Sequence, residues 1–190
     1  MTLPTKLSLL RILLTFAIMA LLFAPGWLAK SAALVLFLLA GFTDWLDGHL
    51  ARRWGQTSAF GALLDPIADK VLVLGIFLSF VQLRLIPAWM VLIIALREFL
   101  ITGVRLFAAS RDIVLPAAKE GKHKTVSQVV TIVVVLFALI IQELFGPTPV
   151  SAAARWAALG CLWVTMLLTV ISGAAFFRRH YAALMDAAAK

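Results

Sequence analysis

The chain has 190 residues, of which 63% are hydrophobic and only 14% charged, and its mean hydropathy is +1.04. Soluble domains run nearer half apolar and a quarter charged, and a core of this size cannot hide so much apolar surface, so an ordinary soluble domain and a disordered chain are both excluded. The charge is lopsided, 17 Lys and Arg against 9 Asp and Glu for a net +8, which in a membrane protein belongs first to cytoplasmic loops and anionic head groups and needs no nucleic acid as partner.

A helix crossing a bilayer needs about 20 apolar residues. Six stretches qualify, at 7–24, 28–46, 60–80, 87–108, 126–145 and 155–177, so the expected fold is all-α, a polytopic membrane protein with six transmembrane helices. Proline and glycine fall where helices should stop: Pro25-Gly26, Pro87, Pro116, and Gly146-Pro147 with Pro149. No soluble domain fits between the spans, so residues 1–190 read as one membrane domain. Lys6 and Arg11 precede an apolar stretch as in a secretory signal, but five more spans follow and the first segment is long, so it reads as a span. The lone Cys161 excludes an intrachain disulfide.

Six spans put both termini on one side, with the loops near 52–59 and 109–125. That side holds most of the lysine and arginine, from Lys6 and Arg11 through Arg52, Arg53, Arg111, Lys119, Lys122 and Lys124 to Arg178, Arg179 and Lys190. The opposite loops hold Lys30, Arg84 and Arg155. The positive-inside rule therefore makes both termini cytoplasmic. Trp27, Trp54, Trp89, Trp156 and Tyr181 near span ends read as interfacial belt residues, and residues 178–190 as a short helix on the membrane surface.

Four of the nine acids, Asp44, Asp47, Asp65 and Asp69, fall within 26 residues at the cytoplasmic ends of the second and third spans. Carboxylates at membrane depth are expensive and point to function. The spacings of three and four place each pair on one helix face, and a short connection makes the two helices antiparallel neighbours, so the pairs can converge. Four converging carboxylates repel unless neutralised. Two divalent cations balance them, and an all-oxygen set suits Mg²⁺ or Mn²⁺ in the two-ion clamp of phosphoryl transfer. Small residues, Gly48 and Ala51 on one face and Gly61 and Ala68 on the other, leave room for a ligand beside the acids.

Written out, the stretch is Asp44-x2-Asp47-Gly48-x2-Ala51-Arg52-x8-Gly61-x3-Asp65-x3-Asp69. It resembles the signature of the CDP-alcohol phosphatidyltransferase family at all eight positions, and the six-span layout extends the resemblance over nearly the whole chain. The resemblance implies displacement of CMP from a CDP-linked molecule by an alcohol. It assigns the four aspartates to two divalent ions, Asp69 also to the role of general base, and Gly48, Ala51, Arg52, Ser58 and Gly61 to contacts with CDP-diacylglycerol.

The acceptor is read from elsewhere. Arg97-Glu98-x6-Arg105 lies in the fourth span, and Gly121-Lys122-His123-Lys124-Thr125 precedes the fifth. Glu98 and Arg105 are seven apart, hence on one helix face, and could pair. Arg97, Arg105, Lys122 and Lys124 together suit an anionic acceptor, and glycerol phosphate fits that charge better than serine or choline. Pro4-Thr5-x-Leu7-Ser8-x2-Arg11, Thr43-Asp44-Trp45-Leu46-Asp47 and Asp65-Pro66-x-Ala68-Asp69-Lys70 resemble the branch of the family whose acceptor is sn-glycerol 3-phosphate, with Thr5 where many relatives carry asparagine. The expected setting is a bacterial inner membrane with the active site facing the cytoplasm, and the resemblance implies a homodimer. Inositol phosphate or serine stands as an alternative acceptor. A divalent-cation transporter is the alternative from another class, opposed by acids confined to one membrane face beside an arginine cluster. His49, His123 and His180 read as loop or interface residues.

Overall fold

The computed structural model describes the backbone of residues 3–54, 59–111 and 119–189, and the side chains of 6–43, 64, 66–111 and 123–181. Those residues form six α-helices and no strand: α1 (Leu3–Phe23), α2 (Trp27–Trp54), α3 (Ala59–Gln82), α4 (Ala88–Ala109), α5 (Lys119–Phe145) and α6 (Pro149–Ala189). The shortest, α1, has 21 residues, which at 1.5 Å per residue reach about 32 Å. Lys6–Phe23, His123–Phe145 and Pro149–Tyr181 are long and apolar enough to cross a membrane, and Trp27–Thr43 is a shorter apolar stretch. Large side chains such as Leu13, Phe16, Phe99, Phe137 and Leu167 point outward over the bundle, a surface that suits lipid and not water. The chain is a helical membrane protein.

Several helix ends differ from the sequence expectation, each for a local reason. α6 begins at Pro149, ahead of the expected 155, because Thr148 and Ser151 cap it reciprocally. The Ser151 amide donates to Thr148 Oγ1 at 3.3 Å and the Thr148 amide to Ser151 Oγ at 2.9 Å, with Pro149 at the first helical position. The same helix runs unbroken to Ala189, so the expected separate surface helix after residue 178 is its continuation. α5 takes in the charged run from Lys119, which had read as loop, and α2 continues to Trp54, so the whole Asp44–Arg52 segment is helical. Lys30 is no loop residue either. It lies in the first turn of α2, where Nζ donates to the carbonyls of Leu22 (2.6 Å) and Ala24 (2.7 Å) and so caps the C-terminus of α1.

The helices close into a ring in the order α1, α2, α5, α6, α4, α3, with α3 and α5 also touching across the middle. The bundle is therefore two four-helix cells, α1–α2–α5–α3 and α3–α5–α6–α4, that share the α3–α5 edge. Among the described residues α2 and α3 do not pack side by side, contrary to expectation; α1 and α5 separate them. The connection from Trp54 to Ala59 still limits the distance between their linked ends to about 18 Å. One reason α1 can lie so close to α3 is Gly75, where an added Cβ would fall 2.7 Å from Thr15 Cγ2 and 3.3 Å from Met19 Sδ. The core inside the ring is built from Ile18, Leu22, Phe37, Ile76, Phe77 and Leu136 among others, and α5 is joined to α6 by buried hydroxyls, Thr131 Oγ1 to Thr165 Oγ1 at 2.8 Å.

Thr15 cannot easily yield, because it is β-branched and its hydroxyl donates to the Arg11 carbonyl at 2.9 Å. Gly75→Ala is therefore expected to destabilise the bundle by about 1–3 kcal/mol, read as a lower unfolding midpoint in detergent micelles.

Candidate active site

α4 carries Arg97 and Glu98 in succession, about 100° apart around the helix axis, so the two reach different neighbours. Glu98 Oε1 pairs with Lys124 Nζ of α5, and Arg97 Nη2 donates to Ser172 Oγ of α6 at 3.1 Å. Arg97 Nη1 also lies 3.5 Å from Glu98 Oε1. Gly173, beside Ser172, lets the Arg97 stem lie against α6, since a Cβ there would come within 3.2 Å of Arg97 Cγ. All three charged side chains are largely buried, Lys124 with 6%, Glu98 with 12% and Arg97 with 14% of the side chain accessible.

Among the described residues α4 and α5 are not packed backbone against backbone, so the Glu98–Lys124 pair spans a gap between them. Two buried donors beside the pair have no hydrogen-bond partner: Arg97 Nε, and Nε2 of Gln128, one turn beyond Lys124 on α5. A buried donor without a partner costs about 1–3 kcal/mol. A guest rich in acceptor oxygens would recover that cost.

Across the shared α3–α5 edge, Asp69 is exposed on α3 and lies within Coulombic range of Lys124. Its neighbour Ala68 is fully buried, while Lys70 Nζ turns back to the Pro66 carbonyl at 3.1 Å. The side chains of Asp44, Asp47, Gly48, Ala51, Arg52, Gly61, Asp65 and Lys122 lie outside the described residues, as does Ser58 altogether. The backbone of α2 and α3 is helical through the aspartate positions, which keeps Asp44 with Asp47 and Asp65 with Asp69 on common faces. As a donor set, four carboxylates supply only hard oxygen ligands, which fits Mg²⁺ or Mn²⁺.

The Glu98–Arg105 pair that the shared face allows is not formed. Glu98 is taken by Lys124 and Arg97, and Arg105 stays exposed further along α4. Sequence reasoning also missed Ser172 and Gln128. The Ser172-Gly173 pair within a long apolar run was the one available signal, since a small polar residue beside glycine can accept a long side chain from a neighbouring helix.

Fold and site together define a helical membrane protein with ionised groups held between helices. Its family can be stated. The model of the CDP-alcohol phosphatidyltransferase family matches residues 1–180, and the chain belongs to that family; it is a phosphotransferase. Among similar proteins is the CDP-diacylglycerol–glycerol-3-phosphate 3-phosphatidyltransferase of Bacillus subtilis, 37% identical over 96% of both chains. The protein of that name in Cereibacter sphaeroides is 32% identical over 97% of this chain and 98% of its own. A probable phosphatidylglycerophosphate synthase of Mycobacterium tuberculosis is 37% identical over 91% of this chain and 78% of its own.

Removing the charge of Glu98 while keeping its shape isolates the ion pair. Glu98→Gln leaves Lys124 buried without a counter-charge and is expected to cost about 1–3 kcal/mol, measured as a fall in the unfolding midpoint of the purified protein.

Proposed function

We propose that the chain transfers the phosphatidyl group of CDP-diacylglycerol to sn-glycerol 3-phosphate, giving phosphatidylglycerophosphate and CMP. The observation that carries this reading is the buried Arg97–Glu98–Lys124 cluster, whose two cations outnumber its one carboxylate, beside an exposed carboxylate at Asp69. A net positive cluster with unmet donors suits an acceptor that brings its own phosphate, and neither serine nor choline does. The names of the relatives agree with that acceptor.

Asp44, Asp47, Asp65 and Asp69 would hold two divalent cations, Mg²⁺ or Mn²⁺. When bound, these ions supply charge neutralisation at the diphosphate. Asp69 takes the proton from the acceptor hydroxyl as that oxygen attacks the phosphorus bonded to diacylglycerol and the bond to CMP breaks. Arg97, Lys124, Arg105 and Lys122 hold the acceptor phosphate, with Arg97 suited to two oxygens at once. Gly48, Ala51, Arg52, Ser58 and Gly61 contact CDP-diacylglycerol. The exposure of Asp69 supports its role, because a polar acceptor has to reach it from water.

The same reading gives the chain six spans, both termini in the cytoplasm and the active site facing it, as a single domain that works as a homodimer in a bacterial inner membrane. α4 exceeds two charges in an 18-residue stretch only through Arg97 and Arg105, which are given to the acceptor, and Glu98, which pairs with Lys124. A membrane helix tolerates such groups when they face a protein interior or a polar cavity.

CMP release from CDP-diacylglycerol, measured with a panel of acceptors, tests the assignment. Glycerol 3-phosphate is expected to support turnover, with inositol phosphate and serine inactive, and no turnover with glycerol 3-phosphate would sink it. Asp69→Asn is expected to lower kcat by at least about 100-fold while CDP-diacylglycerol still binds. Chelation with EDTA is expected to abolish turnover, and adding Mg²⁺ or Mn²⁺ to restore it.

A further inference from the structure

The end of the bundle away from Asp69 holds a second concentration of positive charge. The chain leaves α3 through a tight cap in which the Leu85 amide donates to the Phe80 carbonyl and the Arg84 amide to the Val81 carbonyl, both at 2.9 Å. These are the paired bonds of a Schellman motif, with Arg84 in the left-handed conformation at φ 56°. The other left-handed positions among the described residues, Gly26 and Gly146, follow α1 and α5, where glycine takes the conformation without steric cost. Arginine at such a place costs about 1–2 kcal/mol. A non-glycine residue kept in this region is a reason to ask what its side chain does.

Arg84 lines a cavity of about 370 Å³ together with Arg155 of α6 and Gln142 of α5. The remainder of the wall is aliphatic, including Leu85, Val135, Leu139 and Leu162. A second depression shares Gln142 and Arg155 and continues toward Gly146 and Ser151. Neither is lined by an aspartate or glutamate. Of the three basic residues at this end, Lys30 is buried and bonded to backbone carbonyls, so the two arginines carry the exposed positive charge, and both open onto one cavity. Trp156, next to Arg155, is 71% exposed, as an aromatic ring at a membrane interface would be.

We propose that this cavity binds the phosphate of an anionic phospholipid in the leaflet opposite the active site. The Arg84 and Arg155 guanidiniums engage the phosphate oxygens, and the start of an acyl chain lies on the aliphatic wall. Arginine presents planar donor pairs that match phosphate oxygens. A cavity that is cationic at the mouth and aliphatic within suits an amphiphile: inorganic phosphate leaves the wall unused, and a zwitterionic lipid brings its own cation against the arginines. The site is separate from the one around Asp69, since the intervening length of α3 amounts to roughly 20 Å of helix. It does not depend on which acceptor the enzyme uses.

The test uses the full chain in detergent micelles, titrated with dioctanoyl phosphatidylglycerol, dioctanoyl phosphatidylcholine or inorganic phosphate, with bound lipid counted by native mass spectrometry. Excess CDP-diacylglycerol serves as a control for lipid held at the active site. Phosphatidylglycerol is expected to bind wild type alike with and without it, and phosphatidylcholine and inorganic phosphate roughly tenfold or more weakly. Arg84→Gly with Arg155→Gln is expected to weaken phosphatidylglycerol roughly tenfold or more. Its unfolding midpoint without lipid should be no lower than wild type, because glycine relieves the left-handed residue. Arg155→Gln alone, which leaves the cap untouched, should give an intermediate loss. Undiminished phosphatidylglycerol binding by the double variant and by Arg155→Gln would overturn the proposal. So would equal binding of phosphatidylcholine, or of inorganic phosphate, to the wild type.

Discussion

The Glu98–Lys124 ion pair is the contact on which one half of the bundle depends. It crosses a gap between α4 and α5 that no backbone packing closes among the described residues, and it sits among side chains with little access to water. Burying an ion costs several kcal/mol unless a counter-charge and further hydrogen bonds meet it. Lys124 therefore needs Glu98, and Glu98 has to stand on the face of α4 turned toward α5. Once that face is fixed, the next residue back, Arg97, is turned toward α6, where Ser172 and Gly173 receive it. One electrostatic requirement thus sets the rotation of α4 and ties three helices together without closing the space between them.

The ring order explains why such a gap can persist. A six-helix bundle with a filled centre would bring every helix against the core. Here α3 and α5 meet across the middle, and each cell has only four walls. The charged cluster lies in the cell formed with α4 and α6, and the aspartate motif is carried by α2 and α3, two corners of the other cell. On the proposed mechanism the nucleotide-linked lipid and the acceptor approach from different cells. On that mechanism their reacting groups meet near the shared edge, where α3 carries Asp69 and α5 carries Lys124. Two anionic substrates could then be held apart by protein until their reacting atoms are aligned, which suits an in-line displacement.

Six helices and the family were legible in the sequence, because apolar length and a spaced aspartate motif are local signals. What was not legible depended on which helices touch. A short connection implied that α2 and α3 are neighbours, yet chain proximity limits only their linked ends, and among the described residues α1 lies between them, helped by Gly75, which admits Thr15. Glu98 and Arg105 share a face, and that made a local pair plausible. A buried lysine on another helix has a stronger claim on a carboxylate than an exposed arginine on its own helix, since the arginine can be solvated instead. Ser172 and Gln128 looked like ordinary small and polar interruptions of apolar runs, and only packing shows what they face. The helix ends were misread where capping decided them, as Thr148 and Ser151 do for α6.

The net charge of +8 divides along the same lines. Lysine and arginine near the proposed cytoplasmic face orient the chain, and Arg97 and Lys124 serve the site. At the other end a simple count finds three basic residues, but Lys30 is bonded to the last carbonyls of α1, where it balances the negative end of the helix dipole. That leaves Arg84 and Arg155 as the exposed cations of a face that, on the proposed topology, is one where positive charge is disfavoured during insertion. They are not scattered over it, and one of them occupies a backbone conformation that glycine would adopt more cheaply. Residues that work against both topology and backbone preference, yet converge on one cavity, are better explained by a shared anionic ligand than by two independent accidents of the surface.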